Sequence, residues 1–122
     1  MPYRPAAPHQ QWGQEAEDLA ASYLQQKGFN ILVRNYRYQK AEIDIIAQRG
    51  HCLAFVEVKA RKSSSYGYPE TFVSPAKQSL IREAAENYMI ERDWTEAMQF
   101  DIIAVLQHNG NIQITHFEDA FY

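Results

Sequence analysis

Asp44, Glu57 and Lys59 are the residues whose types and spacing best suit chemistry. They lie in AEIDIIAQRGHCLAFVEVKAR, residues 41–61, which reads as two strands joined by a tight turn. Strand side chains alternate between faces, so Glu42 and Asp44 share a face, and so do Glu57 and Lys59. Across a hairpin, Asp44 and Glu57 can project to the same side of the sheet. Two carboxylates on rigid strands suit magnesium or manganese, and magnesium binds few protein carboxylates while keeping several waters. The main-chain carbonyl of Val58 could complete the shell. Such a metal activates a water and polarises a phosphoryl group. Lys59 could hold that water or meet charge developing on phosphate oxygens. The same residues also suit a cross-strand ion pair on an ordinary hairpin, and spacing alone leaves both readings open.

The surrounding pattern bears on that choice. Ala54, Val56, Val58 and Ala60 make one face of the later strand apolar, while the other face passes from Leu53 and Phe55 to Glu57 and Lys59. A strand apolar on both faces for most of its length is a covered, central one. Charges at its far end must emerge in a cleft or be paired, because carboxylates are almost never buried without a partner or a metal.

The elements that must position these groups follow from periodicity. Residues 11–27 read as a helix with an apolar stripe of Ala16, Leu19, Ala20, Tyr23 and Leu24, closed by Gly28. Glu17, at the stripe's margin, could point past the core edge towards the site as an auxiliary carboxylate. Residues 29–36, 41–47 and 52–60 read as strands. Residues 62–73 read as a loop leaving the charged strand end, with Tyr66 and Tyr68 placed to stack on bases or to pack the loop on its own domain. Ser74-Pro75 starts a second helix running to about residue 91. Residues 100–106 form a fourth strand, and Ile112 and Ile114 mark a fifth. The order helix-strand-strand-strand-helix-strand-strand predicts an α/β sandwich, a mixed central sheet between helices.

Composition narrows the function. A chain of 122 residues suits one domain, expected over residues 11–122 after a flexible N-terminal tail of residues 1–10. That tail lacks the apolar core of a signal peptide, which favours a cytoplasmic protein. The lone Cys52 allows no internal disulfide and reads as a small core residue; scattered histidines give no zinc spacing. Asp101 reads as a strand-end cap or a further acid, and His116 as a surface or structural residue. The net charge of −3 excludes a uniformly basic nucleic-acid binder, but seven of the 12 cations fall between residues 34 and 62. A locally basic surface around carboxylates suits a polyanion whose phosphates also bind a metal. There is no Gly-rich phosphate loop, so a nucleoside-triphosphatase reading has no support.

GQEAEDLAASYLQQKGFNILVRN, AEIDIIA, FVEVKAR and FDIIAV, in that order, resemble the YraN-like family of small bacterial endonuclease-like proteins. The resemblance implies the restriction-endonuclease-like α/β/α sandwich with its PD-(D/E)XK motif, and kinship with Holliday-junction resolvases. It places Glu17, Asp44, Glu57 and Lys59 at the family's site positions. Arg61 and Lys77 also fall on family-like positions, and with Arg37 and Lys40 they are the candidates for phosphate contacts. Ala41 stands where the family usually has glycine, as does Ala16, and Gln99 where arginine is common. The expected function is a magnesium- or manganese-dependent DNA endonuclease, with branched or recombination-intermediate DNA as candidate substrate. A homodimer would supply two sites for two-strand cleavage. The alternatives are a nucleic-acid-binding module without turnover and a protein-interaction domain.

Overall fold

The computed structural model describes residues 8–62 and 73–122. Among these residues seven elements follow one another: α1 (Pro8–Gln26), β1 (Asn30–Tyr38), β2 (Ala41–Arg49), β3 (Cys52–Lys62), α2 (Pro75–Glu91), β4 (Ala97–His108) and β5 (Asn111–Phe121). The strands form one sheet in the order β1-β2-β3-β4-β5. Among the described residues only β3 and β4 pair in parallel; the other three pairings are antiparallel. Parallel neighbours need a crossover, and α2 supplies it. This is the mixed α/β architecture expected from the sequence, consistent with a restriction-endonuclease-like fold.

Each face of the sheet carries its own apolar layer. On one, Trp12, Ala16, Ala20 and Leu24 of α1 pack against Ile45, Ala47, Ala54, Val56, Ile103 and Val105. On the other, Ile81, Ala84, Ala85 and Tyr88 of α2 pack against Ile43, Ile46, Leu53, Phe55, Phe100 and Ile102. Alanines along α1 let that helix approach the sheet closely. β3 contributes to both layers, as its near-continuous apolar run requires.

The helix ends are chemically marked. The Ser74 Oγ accepts the Lys77 N–H at 3.2 Å, with Pro75 opening α2. Gly28, at φ +92°, closes α1, and the Phe29 N–H returns to the Leu24 carbonyl at 3.0 Å. α1 begins three residues earlier than its stripe suggests, at Pro8, a residue well suited to a first helical turn. The strands run longer than predicted: β4 starts at Ala97 and β5 reaches Phe121. The candidate stacking residues Tyr66 and Tyr68, and residues 1–7 of the expected tail, lie outside the described residues.

Candidate metal centre

The β2–β3 hairpin opens where the carboxylates lie. Its ladder runs from Arg49↔Cys52 to Ile45↔Val56 and stops there. Beyond that point the Val58 N–H donates to Asp44 Oδ2 at 2.7 Å, so a side chain substitutes for the missing strand partner. The alternation of β2 also breaks at this residue. Ile43 belongs to the α2 layer, whereas Ile45 belongs to the α1 layer, although strict alternation would put both on one face. The neighbouring strand deviates in step, with Asn35 at φ +56°. Asp44 therefore turns into the gap between β2 and β3, and does not simply share a face with Glu42 as alternation predicts. In a strand, the N–H and C=O of one residue face the same neighbour. The Val58 carbonyl accordingly faces this gap as well.

Glu57 keeps to the alternation of β3 and lies on the α2 side. Its side chain is 7% exposed, and its Oε1 pairs with Lys77 Nζ at 3.3 Å. Lys77 comes from the first turn of α2, held there by the Ser74 cap. Asp44, Glu57 and Lys77 line one cleft of about 340 Å³ with Lys40, Glu42 and the apolar wall of Leu80 and Ile81. Burial, a hydrogen bond with Glu57 and the charge of Glu57 push the Asp44 carboxyl up to about 8, against the opposing Val58 N–H and Lys77. Two carboxyl groups this close hold a proton between them unless a cation takes its place. With both ionised, Glu57 Oε2 is buried and meets no donor. An orphaned carboxylate oxygen, a second carboxylate and a backbone carbonyl form an all-oxygen donor set, which fits a hard divalent cation.

Glu17 approaches from α1. Arg34 Nη2 reaches its Oε1 at 3.3 Å and Asp18 Oδ1 at 2.8 Å. Burial raises the Glu17 pKa, Asp44 and then Glu42 add to the rise, and Arg34 opposes it. Glu17 thus feels the Asp44 charge but is clamped by Arg34, a partner that helical periodicity could not reveal. Lys59 is half-buried on β3, two residues beyond Glu57 and on its face, and does not line the cleft.

The proposed phosphate contacts are dispersed. Lys40 and Lys77 line the cleft, and Arg37 pairs with Glu42 at its edge at 3.4 Å. Arg61 lies exposed at the end of β3 and donates to the Ala60 carbonyl at 3.0 Å. The basic run of the sequence does not form one surface, because Arg49 stands at the opposite end of β2, stacked on Phe29 and paired with Glu118 at 2.9 Å.

A second polar cluster sits on the α1 face, between β4 and β5. Asp101 is fully buried and accepts the Asp119 N–H at 2.9 Å and the Gln99 amide at 3.0 Å; His116 Nε2 lies 2.8 Å from it. The β5 bulge, with Asp119 at φ +55°, brings these groups together. The His116 side chain, anticipated at the surface or in a structural role, is 1% exposed and is flanked edge-on by Tyr23 and Phe29. Ligand atoms of Asp101, His116 and Glu118 lie within 4.8 Å of one another, a set that could hold a metal ion. Each already has partners, however: Glu118 is taken by Arg49 and Gln99. Among the described residues, no helix is long and apolar enough to cross a membrane.

Residues 16–105 match the model of the uncharacterised protein family UPF0102. The UPF0102 protein of Flavobacterium psychrophilum is 48% identical over 116 residues, covering 95% of this chain and 98% of its own. That of Christiangramia forsetii is 41% identical with the same coverage. That of Chlorobium limicola is 45% identical over 117 residues, covering 90% and 91%. These matches agree with the YraN-like resemblance seen in the motifs.

Proposed function

This chain belongs to the UPF0102 family, and we propose that its Asp44–Glu57 cleft hydrolyses phosphodiester bonds in DNA with the help of a divalent cation. The observation that carries the reading is the opened hairpin: a buried carboxylate pair with an orphaned oxygen, at the mouth of a cleft bordered by lysines. Asp44, Glu57 and the Val58 carbonyl would hold magnesium or manganese. When bound, the ion would activate a water and polarise the phosphoryl group.

The chain's own residues account for the remaining tasks. Lys59, on the face of Glu57 but outside the cleft lining, would have to extend towards the cleft to orient the attacking water or answer the charge on the non-bridging oxygens. Lys40, Lys77, Arg37 and Arg61 receive flanking phosphates, fixing register without reading sequence. Glu17 is auxiliary, positioned by Arg34 to accept from a water at the edge of the site. Branched DNA is the finer proposal, drawn from the resemblance to junction resolvases.

A binding module without turnover is the second reading. It is favoured by the internal pairing of Glu17, Glu42 and Glu57 with Arg34, Arg37 and Lys77. Cleavage of labelled single-stranded, duplex, flapped and four-way-junction DNA, with magnesium, manganese or chelator, separates the two. Metal-dependent cutting lost in Asp44→Ala is the expected result. Equal binding by both proteins without cutting by either would replace the nuclease with the binding module.

A further inference from the structure

The carboxylate pair already has a cation of its own. Lys77 Nζ lies 3.3 Å from Glu57 Oε1, and the lysine side chain is 44% exposed while that of Glu57 is 7% exposed. The backbone of Lys77 is fixed by the Ser74 cap, but its stem ends at the open side of the cleft. It can therefore reach either inwards to Glu57 or outwards to solvent. Lys40 lines the same cleft.

Charge counting then sets the behaviour. With Asp44 and Glu57 both ionised, the three carboxylates of the lining (Glu42 included) against Lys40 and Lys77 leave the cleft with one net negative charge. A divalent cation added beside an undisplaced Lys77 would reverse that sign at short range in a partly buried place, which is costly. The cost falls if Lys77 leaves Glu57 as the metal arrives. A lysine released at the cleft mouth is then free for a phosphate, and lysine suits phosphate as a mobile point charge.

We infer that Lys77 is a tethered counter-cation that competes with the metal for Glu57, so that metal and nucleic acid bind cooperatively. This rests on the metal-site reading of the Asp44–Glu57 cleft. Lys77 is a positioning residue here: it acts on the metal through Glu57 and on nucleic acid by exchanging one anion for another. Without nucleic acid the lysine holds the site against metal, and phosphate draws it off. Reciprocity follows, because a nucleic acid that tightens metal binding must itself be tightened by metal to the same extent.

The test measures Mn²⁺ binding by paramagnetic resonance at pH 8, using the full chain, Lys77→Met and Lys77→Arg. Each is titrated with and without a short phosphorothioate duplex. Methionine keeps most of the apolar stem of the half-exposed lysine, so the variant should fold. Lys77→Met is expected to bind Mn²⁺ about tenfold more tightly than wild type in the absence of the duplex. The duplex should tighten wild-type Mn²⁺ binding about fivefold or more, and tighten that of the methionine variant by less than about twofold. Lys77→Arg should behave as wild type. Equal or weaker Mn²⁺ binding by Lys77→Met overturns the inference, as does equal duplex enhancement in both proteins, while the metal site itself stands. A wild-type chain that binds no Mn²⁺ removes the inference together with the metal site beneath it.

Discussion

Replacing Asp44 by Asn should change the pH dependence of stability in a defined direction. The folded-state pKa of Asp44 is raised, to about 8, above an ordinary carboxylate value near 3.8. The folded chain therefore holds a proton that the unfolded chain releases. Its stabilising effect is complete below about pH 4, declines as pH rises through the window from about 4 to 8, and is gone above it. Between pH 6 and pH 8.5 the loss from this group is about 2–3 kcal/mol, at roughly 1.4 kcal/mol for each pKa unit. Asparagine cannot ionise, keeps an oxygen for the Val58 N–H, and can donate its amide to Glu57. Urea unfolding of both proteins in chelator, at pH 6 and at pH 8.5, measures the difference. Wild type should lose about 2–3 kcal/mol relative to Asp44→Asn over that interval. Saturating magnesium at pH 8.5 should restore wild type and leave the variant unchanged, since only the native wild-type site binds the ion. Parallel pH profiles in chelator would refute the close carboxylate pair on which the site depends.

Other consequences are structural. Ser74→Ala removes the acceptor for the Lys77 N–H and should cost about 1 kcal/mol, seen in the urea midpoint. Gly28→Ala meets nothing closer than Arg49 Cδ at 3.9 Å, so its cost comes from the backbone at φ +92°; about 1 kcal/mol is expected in the same assay. Asp101→Ala strips partners from His116, Gln99 and the Asp119 N–H in a fully buried place. It should destabilise by about 3 kcal/mol or more while leaving the Mn²⁺ affinity of the folded protein within about twofold, because the Asp44 cleft lies elsewhere on the sheet.

The element order was legible because each apolar pattern is locally complete. β3 declared itself central by being apolar on both faces, and Ser74-Pro75 and Gly28 marked helix ends by backbone chemistry that needs no tertiary contact. Asp44, Glu57 and Lys77 could be nominated from residue type, strand order and motif resemblance. What the sequence could not reveal were the partners. The Arg34 clamp on Glu17 and the Lys77 pair with Glu57 join residues brought together only by helix–sheet packing. The turn of Asp44 into the strand gap breaks the alternation that sequence reading assumes, and a bulge of this kind has no period to detect it. For His116 the sequence left a surface and a structural role open for a related reason: β5 carries exposed residues on both sides, and only its bulge folds the imidazole onto Asp101.

The most direct measurement is an anomalous difference map from crystals soaked in Mn²⁺. A peak between Asp44 and Glu57, with the Val58 carbonyl among its ligands, is expected. A peak only at Asp101, His116 and Glu118, or no peak at a Mn²⁺ concentration that saturates the nucleic-acid-free protein in solution, would contradict the assignment of Asp44 and Glu57 as the metal centre.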